Sequence, residues 1–160
     1  MDKKSFEPII SSQPQLLILG SLPGDLSIAA HQYYAHPRNR FWKLLFDVFN
    51  GEYQMDYSAR IEFALSHQIA IWDVAYSAFR PGSMDVDIKN VVPNAIDELL
   101  ITYPTIKKVI FNGKKAAQMF NQFFGRKENI DYYVLPSTSP ANASYSYDKL
   151  YSIWEEAILK

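Results

Sequence analysis

The chain has 160 residues, no cysteine, three histidines and six glycines. Without thiols, disulfides, iron–sulfur clusters and thiolate zinc sites are excluded by inventory. His31, His36 and His67 are dispersed, which disfavours a histidine metal centre. No run of about 18 uncharged apolar residues occurs, and the opening MDKKSFEPII lacks the apolar core of a signal peptide. A soluble, cytoplasmic protein is therefore expected. Charge of one sign is also missing: 16 basic and 17 acidic residues leave a net charge of -1. That balance is silent about nucleic acid, because a neutral domain can still present one basic face.

What is present is apolar and aromatic. Hydrophobic residues make up 48% of the chain, with 11 tyrosines and 10 phenylalanines, enough to bury the core of one domain spanning 1–160. Nearly continuous apolar runs at 15–21 (QLLILGS), 69–75 (IAIWDVA), 108–113 (KVIFNG) and 131–137 (DYYVLPS) predict strands of a parallel sheet covered on both faces. Helical periodicity is read at 40–50, 58–67, 91–103, 114–124 and 147–159. Residues 75–87 are expected to be the one long irregular piece. Strands alternating with helices imply right-handed crossovers and a three-layer α/β/α sandwich with a central four-stranded, mainly parallel sheet.

Ligands of such sheets bind beyond the carboxyl ends of the strands. Four places follow: Gly20-Ser21-Leu22-Pro23-Gly24, Asp73, Asn112-Gly113, and the loop from Ser137 to Asn142. The first has the spacing of neither a dinucleotide loop nor a P-loop. Tyr33-Tyr34-Ala35-His36-Pro37-Arg38-Asn39-Arg40-Phe41-Trp42 combines stacking surface, positive charge and an amide, a composition suited to a nucleobase and its phosphates. It equally suits a helix start with Asn39 as cap and aromatics in the core. The Ser/Thr/Pro loop at 135–144 can approach a phosphate closely or merely cap the last helix. Asp73 is a carboxylate in an apolar strand, costly to bury unless paired. It either accepts a hydrogen bond from a base or pairs with Arg80 or a backbone N–H. Asn112-Gly113 is read as a turn with positive φ rather than a base contact.

Taken together, GSLPG, YYAHPRNRFWKLL and the late SPAN loop resemble the uracil-DNA glycosylase superfamily, most closely its hypoxanthine-DNA glycosylase branch. The second block is similar to the mismatch-specific uracil branch at Ala35, His36, Pro37, Asn39, Arg40, Phe41, Trp42 and Lys43. One departure matters. The third residue of the first motif, in relatives an Asp or Asn that handles the attacking water, is Leu22 here.

The resemblance implies hydrolysis of the bond between sugar and a flipped, deaminated base, chiefly hypoxanthine, with Asn39 positioning the water in place of Leu22. It implies base contacts from Ser21, Leu22, Pro23, Gly24, Tyr34 and Asp73, with Tyr34 stacking and the core as the alternative place for Tyr33. DNA contacts are expected from Arg38, Arg40, Ser137, Ser139, Pro140, Ala141 and Asn142. Lys43, Lys114 and Lys115 are further candidates for phosphate-facing charge, and Tyr145 is a candidate wedge because Asn142 and Ala143 are small. RPGSMD, from Arg80 to Asp85, is expected to form a lid or a backbone clamp.

No metal, organic cofactor, membrane or obligate protein partner is implied. The partner is double-stranded DNA and the product an intact abasic site. Rival readings are a uracil-directed or broad deaminated-base glycosylase, a silent damaged-DNA-binding module, and an enzyme acting on free nucleosides.

Overall fold

The computed structural model describes residues 2–160. Its centre is a parallel sheet in the order β3-β2-β6-β7, formed by β2 (Leu16–Gly20), β3 (Ile69–Asp73), β6 (Lys108–Asn112) and β7 (Asp131–Leu135). The apolar runs become strands for the expected reason. Every residue of β2 and β3 is buried, whereas β7, at the sheet edge, leaves Asp131 and Val134 exposed. Helices α2 (Phe41–Val48), α3 (Tyr57–Ser66), α5 (Lys114–Phe123) and α6 (Tyr147–Leu159) lie close to their expected positions. They bury Phe41, Trp42, Phe120 and Trp154 in the same core as the sheet. No helix among the described residues is long and apolar enough to cross a membrane.

Two expectations are corrected. Residues 75–87 are not irregular: they hold β4 (Ala75–Phe79) and a single 3-10 turn at Asp85–Asp87. Nor is 91–103 one helix, because β5 (Lys89–Pro93) occupies its start and α4 is confined to Ile96–Thr102. Pro93 explains the boundary, since its ring disfavours a helical conformation in the residue before it. With β1 (Asp2–Lys4), these strands form an antiparallel sheet in the order β1-β4-β5. A short helix, α1 (Asp25–Ala30), follows the GSLPG loop.

The N-terminal segment runs along β3 and so reaches the carboxyl ends of the sheet. Ile9 exchanges two backbone hydrogen bonds with Ile71, each 2.9 Å, and the Trp72 indole donates to the Phe6 carbonyl.

Candidate active site

The first loop leaves β2 at Gly20, which lies beside Asp73 in the register of the parallel pair. A Cβ on Gly20 would stand 2.6 Å from Asp73 Oδ1 and 3.2 Å from Tyr34 Oη. The missing side chain thus lets a carboxylate and a phenol converge at the carboxyl end of a central strand. Asp73 is buried, and its Oδ2 accepts from Ser5 Oγ at 3.1 Å. No described residue donates to its Oδ1. Burial pushes the Asp73 pKa up to about 7, with the Ser5 hydroxyl opposing, the Asp85 charge adding and the Arg80 charge opposing. An Asp73–Arg80 ion pair, one of the two structural alternatives, does not form among the described residues. Arg80 donates instead to the Pro23 and Gly82 carbonyls, each at 2.6 Å.

Tyr34 adopts a left-handed conformation with φ 55° and stacks on Phe41, ring centroids 4.1 Å apart. Its Oη is buried without a hydrogen-bond partner. Burial and the neighbouring Asp73 charge hold that hydroxyl firmly protonated, so it is available as a donor. Tyr33 belongs to the core, where its hydroxyl donates to the Glu7 carbonyl at 2.9 Å.

The rest of the first loop is internally braced. Ser21 Oγ donates to Asp85 Oδ1 at 2.8 Å, so that hydroxyl is already committed. Leu22 is buried in the core cluster, and Pro23 gives its carbonyl to Arg80. Gly24 precedes α1 with extended backbone, the Ser83 side chain being its nearest neighbour. The segment from Arg80 to Asp85 is therefore a clamp on this loop.

Asn39 sits at the start of α2, where its Oδ1 accepts from the Phe41 N–H at 2.9 Å. The N-cap of α2 is Arg40 rather than Asn39, so Asn39 braces the helix start from one position earlier through its oxygen, while its Nδ2 donates to no described residue. Arg38 is exposed with its guanidinium in no described contact. Arg40 departs from the expectation of a phosphate-facing charge. Its Nη1 donates to the Tyr145 carbonyl at 2.6 Å and its Nη2 to Asn142 at 3.0 Å and Ser139 at 3.4 Å. Its backbone N–H also donates to the Thr138 carbonyl at 3.1 Å. The Ser139 carbonyl also accepts the Asn142 N–H at 3.0 Å, whereas the carbonyls of Asn142 and Tyr145 have Arg40 as their donor among the described residues, and one charged group satisfies both. Lys43 is likewise engaged, 2.8 Å from Asp47 and over the Tyr147 ring. Lys114 is exposed, and Lys115 lies near enough to Asp85 to hold its pKa down somewhat against burial.

The last loop is tied to β6. Asn112 donates through Nδ2 to Thr138 Oγ1 at 3.0 Å and accepts the Thr138 N–H at 2.9 Å. Gly113 has φ 101°, the positive value expected of the turn. Ser137 and Ser139 cap the N–H groups two residues on, and Asn142 Nδ2 closes back to the Ser137 carbonyl at 3.0 Å. Pro140 is partly exposed and Ala141 exposed, at the outer turn of this loop. Tyr145 is half-buried under the Lys149 ammonium.

All four strand ends named from the sequence therefore lie at the carboxyl end of the parallel sheet, and the comparisons with known proteins bear on the same architecture. The family model of the uracil DNA glycosylase superfamily matches residues 8–159. The chain belongs to the uracil DNA glycosylase superfamily. It is 39% identical over 158 residues to a Methanosarcina barkeri protein named hypoxanthine DNA glycosylase, covering 98% of each chain. A Methanosarcina acetivorans protein of the same name is 34% identical over 156 residues, covering 97% of each. A solution NMR structure from Methanosarcina acetivorans, of a candidate uracil DNA glycosylase, matches with a TM-score of 0.86 at 33% identity. That match covers 99% of this chain and 97% of the other.

Within this superfamily fold the sequence missed several supporting groups. Ser5 on Asp73, Asp85 on Ser21 and Thr138 on Asn112 each join segments distant in the chain. Asp85 had a signal, lying in the RPGSMD segment already singled out, and Thr138 lay in the last loop. Ser5 had none.

Proposed function

We propose that this superfamily member is a monofunctional DNA glycosylase that flips out and hydrolyses deaminated bases, chiefly hypoxanthine, leaving an abasic site for base excision repair. One observation carries this reading in the chain itself. Asp73 Oδ1, an acceptor on a buried residue, and Tyr34 Oη, a buried hydroxyl with no hydrogen-bond partner among the described residues, converge beside Gly20. Names and family matches among relatives support the reaction class.

Extrusion of the base comes first. It costs a few kcal/mol, least for a mispaired base such as hypoxanthine opposite thymine. The flipped base lies against the backbone of Ser21, Leu22, Pro23 and Gly24, with the Tyr34 ring, backed by Phe41, as its stacking platform. Ionised Asp73 accepts the ring N–H of the Watson–Crick edge. Uracil and xanthine carry the same N–H group, so this contact admits deaminated bases as a class. Bond cleavage develops negative charge on the base and an oxocarbenium-like sugar, which needs a positioned water more than a strong base. The free Nδ2 edge of Asn39 fits that task, because its oxygen is already fixed by Phe41. Leu22 has no group to hold a water.

Arg38, with the loop at Ser137, Ser139, Pro140, Ala141 and Asn142, meets the duplex backbone, while Arg40 shapes that loop from within. Double-stranded DNA at the nucleoid is the partner, and neither a membrane nor a further protein is needed.

The test is incubation of the purified protein with labelled duplexes containing hypoxanthine, uracil or xanthine, followed by alkali. Alkali-dependent breaks at hypoxanthine are expected. Binding without release of any base would make the protein a silent binding module, and nicking without alkali or heat would contradict monofunctional hydrolysis.

A further inference from the structure

Arg80 is completely buried, yet no step described above uses it. It follows β4 directly and donates to the Pro23 carbonyl from Nη2 and to the Gly82 carbonyl from Nε. Within the same segment, Asp85 accepts from Ser21 Oγ, and Ser83 Oγ accepts from the Asp25 N–H at 3.1 Å. Lys3, itself buried in β1, bridges the Asp25 carboxylate and the Gly82 carbonyl. Residues 80–85 therefore grip the first loop at Ser21, Pro23 and Asp25. A guanidinium is costly to bury, and an apolar side chain would fill the same volume more cheaply. That cost is explained if the charge and its hydrogen bonds have work at the site.

We propose that Arg80 and Asp85 are positioning residues for base excision, locking the Gly20–Gly24 loop at whose first residue Asp73 and Tyr34 converge. The kinetic part of this inference rests on the glycosylase reading; the lock, and the electrostatic role of the two charges that accompanies it, do not.

The groups whose hydrogen bond or charge acts on Asp73 come from three segments. Ser5 arrives from the N-terminus, Tyr33 and Tyr34 from the turn before α2, and Arg80 and Asp85 from the clamp. Asp25 acts in turn on Arg80, Lys3 on Asp25 and Lys115 on Asp85. Both tyrosines stay protonated, so the two charges that bear directly on Asp73 are those of Arg80 and Asp85, and they oppose each other.

Carboxyl carbon NMR of Asp73 in the free protein reads this directly. Removing the cation in Arg80→Met moves the Asp73 midpoint to higher pH. Removing the like charge in Asp85→Asn, which keeps an oxygen for Ser21, moves it lower. Each displacement is expected to be about half a pH unit or more. Arg80→Lys keeps the charge but cannot reach both carbonyls. It leaves the midpoint near wild type, while exchange of the Ala75 amide, which bonds the Ser21 carbonyl, speeds by about 10-fold. Should Arg80→Met fail to fold, Asp85→Asn and Arg80→Lys still carry one readout each.

Unmoved midpoints, or midpoints moving the same way in the two charge variants, overturn the electrostatic role. Unchanged Ala75 exchange in Arg80→Lys overturns the lock. In single-turnover excision of hypoxanthine, Arg80→Lys is expected to slow the step by about 10-fold while duplex affinity changes by less than about 3-fold. Wild-type rates in that folded variant overturn the role in excision. A wild-type protein that excises nothing overturns the glycosylase reading, and the titration and exchange still decide the lock.

Discussion

Asp73 lies across Gly20 so closely that a Cβ on residue 20 would stand 2.6 Å from its Oδ1. The glycine is there because the carboxylate occupies the space a side chain would take. Gly20→Ala must displace Asp73, Tyr34 or the strand end, at a cost of about 1–3 kcal/mol. Because misplacing a reacting geometry by about 1 Å can cost about 100-fold in rate, excision should fall by that order. Thermal melts and single-turnover rates on a hypoxanthine duplex check both.

Asp73 also sets a pH dependence. Its folded pKa of about 7 stands above the ordinary 3.8, so the folded protein binds more protons than the unfolded chain between those values. Stability therefore falls as pH rises from about 4 to 7 and levels off above. Asp73→Asn removes that slope, so at pH 8 the variant should be more stable than wild type by up to about 4 kcal/mol, with no gain near pH 4. Urea unfolding across that range measures it. Excision should do the reverse, rising with pH through about 7 as Asp73 ionises, and Asp73→Asn should abolish that limb. A wild-type rate independent of pH from 5 to 9 would remove the base-reading role.

Arg38 and Arg40 should separate cleanly although they are two residues apart. Arg40→Ala strands the carbonyls of Asn142 and Tyr145, with a loss of about 2 kcal/mol and looser duplex binding through a loosened loop. Arg38→Ala should leave the melting temperature unchanged. It should lower the slope of log affinity against log salt by about 1, as expected for one lost phosphate contact. Equal effects in both variants would contradict this division.

Asn39 has a structural oxygen and an uncommitted amide nitrogen. Asn39→Ala should cost about 1 kcal/mol through the lost bond to the Phe41 N–H and reduce excision by about 100-fold. Asn39→Asp restores the acceptor for the Phe41 N–H and with it the stability. A folded Asn39→Ala protein that excises at the wild-type rate would take Asn39 out of the chemistry.

The loops that carry these groups were legible because they follow continuous apolar runs, and such runs bounded by Gly, Pro or Ser mark buried strands whatever the rest of the chain does. The second sheet was not legible. In β4 and β5 exposed and buried positions mix, and Pro93 interrupts what otherwise reads as helix, so pairing of β4 with β1 and of β5 with β4 is what makes these two segments extended. Arg40 shows the same limit at a single residue: an arginine beside aromatics suits a phosphate and a loop carbonyl equally well. Tertiary packing brought the carbonyls of Ser139, Asn142 and Tyr145 to it.

The sequence by itself determined the parallel sheet, the absence of thiol chemistry, and the four strand ends where a ligand can bind. Each of these follows from local pattern or from inventory. Tertiary structure alone decided that Ser5 holds Asp73 from 68 residues away, that Arg80 turns to Pro23, and that Tyr34 and Asp73 meet over Gly20. A buried polar atom takes as partner whatever the fold carries within about 3 Å, and no periodicity along the chain encodes that proximity.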